Sequence, residues 1–352
     1  MKLTKFLTRF IFFVVIGLSF ANNSLAAAWQ RVHLGTAANE YDFPVYANHD
    51  LNADLRNIRE VILILHGAHR DGDKYFATAL SLLKQSGRRA DEILLLAPNF
   101  PGTGDRAEDF KGMPAWHPRD WAAGLDAQQV AFSLSSFKVL DDLLLKITDE
   151  TKFPSVTTLT LAGHSAGGQF IQRYAVLNNI DEQIRSRGLE LKYVVANPSS
   201  FLYFTPQRPD NKTFKDYPAA QCPDFNQYRY GTDNMIPYAA GKSGPGLFKR
   251  YSHRSVTYLM GMQDTNPQHS MLDKTCPALA QGPTRLSRAQ AYVRYERFLA
   301  GRATRINHLA YQIVGVGHDQ AKMFGSICAV RVLFQTDPPQ DAQAALCEPD
   351  LF

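Results

Sequence analysis

Apolar, β-branched runs alternate with segments of helical period through most of this 352-residue chain. That alternation predicts an α/β fold, with a mainly parallel central sheet and helices on both faces. Two further observations sharpen the expectation. The runs are short and continuously apolar, as strands buried on both faces are. Each run also ends in a turn bearing glycine or proline, and in open parallel sheets the chemistry gathers beyond the carboxyl ends of the strands.

Residues 29–58 read as introductory strands, including Val45 and Tyr46. Glu60 to Leu65 (EVILIL) is the first buried strand and runs into His66-Gly67-Ala68. A helix is expected over Lys74 to Gln85, then a strand over Glu92 to Ala97 that stops at Pro98. Residues 98–126 form a long loop rich in Pro, Gly and Trp. The next helix, capped by Ser135 or Ser136, reaches Ile147. Val156 to Leu161 is the third strand, followed by a turn and a helix to Leu177, and Leu191 to Ala196 is the fourth. Residues 197–254 show no sustained period and read as an insertion. Val256 to Met260, an amphipathic helix over Leu286 to Leu299, and a strand over Leu309 to Val314 complete the pattern.

The start of the chain reads as a leader rather than as part of the fold. Lys2, Lys5 and Arg9 precede an apolar run from Phe10 to Phe20, and Ala26-Ala27-Ala28 supplies the small residues of a cleavage site. Residues 1–28 are therefore expected to be a signal peptide, cleaved before Trp29, and residues 29–352 the working domain. An N-terminal membrane anchor is the competing reading, though the apolar run is short for a bilayer. The protein is expected in the periplasm or outside the cell. The leader carries three of the positive charges, which leaves 35 basic against 33 acidic residues. That balance argues against nucleic-acid binding. Export permits disulfides among Cys222, Cys276, Cys328 and Cys347. Three pairings are possible. Proximity in sequence favours Cys328 with Cys347, leaving Cys222 with Cys276.

The chemistry is concentrated after the strands. Gly163-His164-Ser165-Ala166-Gly167 is a G-x-S-x-G segment between a strand and a helix. A serine there sits on a strained turn above the sheet, and the glycines keep other side chains away. The following helix directs its N-terminus at any developing oxyanion. Serine needs a base to become a nucleophile. His318, after the last strand and beside Gly317, is the candidate. An acid must orient that imidazole. Asp264 follows the strand between nucleophile and base, with Asp273 as the alternate. Two backbone N–H donors are needed for the tetrahedral intermediate. Ala166 and Ala68 are the candidates, with Arg70 and Asp71 tying the Ala68 loop in place. His66 and His69 have no third ligand nearby in sequence, so no zinc site is expected.

In their order and spacing these residues resemble the α/β-hydrolase superfamily over about residues 58 to 330. Within it the chain looks like exported bacterial esterase- and lipase-like proteins whose oxyanion loop has glycine followed by an ordinary residue. The resemblance implies a fold with a cap insertion, here about residues 198–254, and ester or amide hydrolysis without a cofactor, with a small or polymeric carboxylic ester as the leading expectation. Peptidase or amidase activity on the same fold, and non-catalytic binding, are the alternatives. The insertion's aromatic residues, among them Phe201, Tyr203, Phe204 and Tyr230, either line an acyl pocket or anchor an irregular segment.

Overall fold

A computed structural model describes residues 29–105, 110–302 and 304–336. The expected leader and Cys347 lie outside them. Eight strands form one sheet, in the order β1-β2-β4-β3-β5-β6-β9-β10. They are β1 (Trp29–Leu34), β2 (Tyr41–Ala47), β3 (Glu60–Leu65), β4 (Ile93–Pro98), β5 (Thr158–His164), β6 (Glu190–Ala196), β9 (Ser255–Gly261) and β10 (His308–Ile313). From β4 to β10 every pairing is parallel, while β1 and β2 pair antiparallel at one edge. A separate hairpin joins β7 (Gln207–Asp210) to β8 (Thr213–Asp216).

The continuous apolar runs are explained by the two faces they serve. Val61, Leu63 and Leu65 of β3 point into one core, and Ile62 and Ile64 into the other. Beneath the first lie α2 (Ser136–Ile147), α3 (Ala166–Leu177), α5 (Gly244–Tyr251) and α7 (Arg285–Ala300). Beneath the second lie α1 (Gly72–Ser86), α8 (Gln320–Phe324) and α9 (Ile327–Phe334). Ser135 caps α2 by accepting the N–H of Phe137 at 3.1 Å. The short helices α4 (Asp181–Ser186) and α6 (Cys276–Leu279) complete the set.

Several expectations need correction. The helix expected over Leu286 to Leu299 is present as α7, but its buried face mixes charged residues with apolar ones such as Ala289 and Val293. Arg285, Arg288, Tyr292, Tyr295 and Glu296 point inward, while Phe298 is exposed. Inward charge is tolerated because it is paired. Glu296 accepts from Tyr258 at 2.5 Å and bonds His308 at 2.9 Å, and Arg288 donates to the carbonyl of Gly282 at 2.7 Å. The loop expected over 98–126 packs its large side chains into the core among the described residues. Phe100, Trp116 and Trp121 are buried, with Phe100 edge-on to Trp116 at 5.2 Å and stacked on Trp121 at 5.4 Å. The insertion contains β7, β8 and α5, which are too short to show a period. Helices α4, α8 and α9 were likewise not expected.

The insertion's aromatics anchor it. Phe201 stacks on Tyr292 at 4.4 Å, Tyr203 on Tyr295 at 4.4 Å, and Phe204 packs on Phe248 at 5.3 Å. Cys222 is bonded to Cys276, which ties the insertion to the segment after β9. Cys328 is buried in α9.

Sheet order also fixes where a site can form. The chain leaves β3 for β4 on one side and returns to place β5 on the other. At such a reversal the loops after neighbouring strands part to opposite faces and leave a crevice. The loops after β3 and β5 flank that point, and Leu65 is in register with Gly163.

Candidate active site

Ser165 links β5 directly to α3 and holds φ at 60° and ψ at −118°. That backbone is costly for a residue with a side chain, by about 1–3 kcal/mol, and persists only where the surroundings enforce it. Here its N–H donates to the carbonyl of Ala196 at 3.0 Å, and its carbonyl accepts from Gln169 at 3.0 Å. The flanking glycines are needed for close approach. A Cβ on Gly163 would lie 2.3 Å from the carbonyl oxygen of Gly167, and one on Gly167 would lie 2.5 Å from that of Leu65. Only bare backbone lets α3 come down so tightly on β3 and β5.

The side chains of Ser165, His318 and Asp264 meet. His318 Nε2 lies 2.9 Å from Ser165 Oγ, and its Nδ1 lies 2.7 Å from Asp264 Oδ2. A carboxylate accepts only, so Nδ1 carries the proton and Nε2 presents its lone pair to the hydroxyl. Burial pushes the His318 pKa below its ordinary 6.5, Asp264 opposes this through its hydrogen bond, and the Arg285 cation reinforces it. The ring is thus neutral, the form that can accept a proton. Asp264 is buried at 3% exposure, not a surface carboxylate. Its Oδ1 pairs with Arg285 Nη1 at 3.3 Å, and Arg285 Nε donates to Ser199 Oγ at 2.9 Å. The alternate acid, Asp273, is directed elsewhere, to Tyr230 Oη and Thr275 Oγ1, both at 2.7 Å.

Ala68 and Ala166 line the same cleft as Ser165. The loop carrying Ala68 is braced from both ends. His66 Nε2 accepts the N–H of Phe100 at 2.9 Å, and its Nδ1 donates to the carbonyl of Gly67 at 2.8 Å. Burial lowers the pKa of His66 to about 4, which keeps it neutral as those bonds require. Arg70 spans to Asp105 through Nε at 2.9 Å and Nη2 at 2.5 Å. Asp71 lies at the start of α1, with Lys74 3.7 Å away.

Three participants escaped sequence reasoning. Arg285 reads as an ordinary helix-surface residue until its partner is known. Asn197, at φ 43°, accepts from the Gly261 N–H at 2.8 Å and donates to the Gly317 carbonyl at 3.1 Å. It therefore ties together the loops that carry Asp264 and His318. An asparagine immediately after a strand is the one signal that could have marked it. His164 packs its ring 4.6 Å from that of His318, and burial holds its pKa well below 6.5, so it stays neutral beside that ring.

Among the described residues no group of His, Cys, Asp and Glu is arranged to hold a metal, and no helix is long and apolar enough to cross a membrane.

Comparison with known proteins agrees with the fold. The sequence pattern described as the Alpha/beta hydrolase family matches residues 62–346. A poly(aspartic acid) hydrolase-1 from Sphingomonas sp. KT-1 superposes with a TM-score of 0.59 at 20% identity, covering 88% of this chain and 100% of that one. The poly(3-hydroxybutyrate) depolymerase LpqC from Bordetella parapertussis superposes with a TM-score of 0.59 at 19% identity, covering 91% and 95%. At that identity the likeness is one of fold. No curated protein matches the chain in sequence. A family pattern that spans most of the chain, on a sheet whose strand order and crevice are those just described, places this protein in the alpha/beta hydrolase family.

Proposed function

We propose that this protein is an exported serine hydrolase that cleaves carboxylic esters through an acyl-enzyme on Ser165. The observation that carries the reading is the single imidazole of His318, bonded on one side to a buried carboxylate and on the other to a strained serine at a helix N-terminus. In the first step His318 Nε2 takes the proton of Ser165 Oγ as the oxygen attacks the acyl carbon. Asp264 stabilises the resulting imidazolium. The carbonyl electrons move onto an oxyanion held by the N–H groups of Ala68 and Ala166, at the positive end of α3. Collapse expels the alcohol oxygen, which takes the proton back from His318. Water then repeats the sequence on the acyl-enzyme, releasing the acid and free serine.

Residues 198–254 act in this reading as the cap over the crevice, stapled by Cys222–Cys276. Export by a cleaved leader, residues 1–28, accounts for that disulfide.

The test is hydrolysis of short p-nitrophenyl esters by the wild type, Ser165→Ala and His318→Gln. Each variant should lose about 10⁴–10⁶ in kcat, and the wild type alone should take up a serine-directed phosphonate at Ser165. Retention of most activity by Ser165→Ala, or an inert and unlabelled wild type, overturns the proposal.

A further inference from the structure

Two clefts meet at Ser165 and Ala68, and they differ in charge. His318, His164 and His269 line one. Arg119, Arg173 and Arg229 line the other, with Asp273 as its one carboxylate. Arg173 is buried and fully engaged. It donates to the carbonyls of Ala122 at 3.0 Å and Arg229 at 3.2 Å and to Ser200 Oγ at 2.9 Å. All those partners are neutral, so its charge is oriented but not cancelled. Burial pushes its pKa down only to about 10, which leaves it a cation. Arg229 is half-buried; its guanidinium lies over the Tyr230 ring at 5.5 Å and makes a long contact, 3.4 Å, to Tyr230 Oη. Arg119 is exposed at the rim. Among the described residues none of the three has a carboxylate within 4.0 Å. Asp273 is hydrogen-bonded to Tyr230 and Thr275, and its charge and that of Asp120 favour the Arg229 cation from beyond ion-pairing distance without occupying its fork.

The Arg229 guanidinium thus stays a cation whose remaining donors are open to a planar anion entering the cleft. Carboxylate is the geometric match. The side of the serine on which it lies follows from the chemistry. The leaving oxygen must reach His318 Nε2, so the alcohol occupies the histidine cleft and the acyl group the arginine cleft. The arginine cleft is also the smaller, about 100 Å³ against about 360 Å³.

We infer that the acyl half of the substrate is short and ends in a carboxylate, which Arg229 binds directly with Arg119 at the rim and Arg173 behind. The substrate class is the half-ester of a small dicarboxylic acid. This rests on the ester-hydrolase reading above.

The experiment compares kcat/KM for mono-p-nitrophenyl glutarate with that for p-nitrophenyl pentanoate, which has the same length without the charge. Wild type should favour the charged ester by about ten- to hundredfold. Arg229→Gln should lower that ratio by at least about tenfold, and Arg229→Lys should restore part of it. Arg119→Ala should lower it less, because an exposed charge is screened. The ratio is indifferent to a general loss of folded enzyme. Calorimetric titration with glutarate itself supplies a readout free of turnover. A wild type that hydrolyses both esters without preference, or a ratio unmoved by Arg229→Gln, overturns the subsite and leaves the hydrolase reading standing. If neither ester is cleaved but glutarate binds wild type more tightly than Arg229→Gln, the hydrolase reading falls and the anion subsite stands. Neither cleavage nor binding overturns both.

Discussion

Arg285 grips the carboxylate oxygen of Asp264 that His318 leaves free. One oxygen faces the imidazole at 2.7 Å and the other faces the guanidinium at 3.3 Å. Both side chains are buried. The carboxylate is thus held in one rotation, and the imidazole it bonds to is held with it.

Removing that grip should change the pH profile as well as the rate. The Arg285 cation disfavours the His318 cation, so its loss raises the His318 pKa. A protonated ring cannot accept the serine proton. The acid limb of kcat/KM in Arg285→Gln should therefore move to higher pH, with the plateau down about 10- to 100-fold from misplacement of the base. Arg285→Lys keeps the charge and should keep the limb near that of the wild type. An unshifted limb in Arg285→Gln would show that the guanidinium only fills space.

Gly167→Ala should separate the turn from its strand. The new Cβ meets the carbonyl oxygens of Leu65 and His66 at 2.5 and 2.6 Å, and backbone cannot step aside cheaply. Overpacking of this kind costs about 1–3 kcal/mol. Because the displaced segment carries Ala166, ester turnover should fall further than the fraction of folded protein does. Equal losses in a urea melt and in activity would count against the close approach.

His66 makes the fold acid-sensitive. Its pKa falls from 6.5 to about 4 on burial, so the unfolded chain binds the proton first as pH drops. The stability it contributes is whole above pH 6.5 and drains away as pH falls towards 4. That is about 2–3 kcal/mol lost between pH 7 and 4.5. His164 and His318 add to the wild-type slope in the same direction. Urea midpoints across this range should fall less steeply in His66→Gln. Parallel slopes would remove His66 from the account.

The Cys222–Cys276 bond closes a chain separation of 54 residues. On loop entropy such a link stabilises by about 4 kcal/mol at most, and native strain commonly reduces the gain to about 2–4 kcal/mol. The double variant Cys222→Ser/Cys276→Ser should melt correspondingly earlier. Peptide maps without reductant should recover the two half-cystines joined. Free thiols at both positions would remove the staple and with it the restraint on residues 198–254.

How far the chain could be read in advance depended on how local each signal was. β3 and β4 announce themselves because strands buried on both faces are apolar along their buried length. The turn around Ser165 is equally legible, since its glycines answer to a clash within a few residues. α4, α5, α8 and α9 are too short for a helical period to stand out. α7 misled because its inward charges look like surface until Asp264 and His308 are in place.

Local patterning by itself determined the kinds of element, their order along the chain and the residues that follow each strand. Tertiary structure alone decided which of those followers meet. Asp264 and His318 are 54 residues apart, and only the parallel register of β9 with β10, cross-tied by Asn197, brings their loops to one end of the sheet. The arginines beside Ser165 come from the loop before α2, from α3 and from the insertion, and no spacing in sequence relates them. Strand and turn formation is set by neighbours along the backbone, whereas ion pairs and clefts are set by distances that exist only once the core has closed.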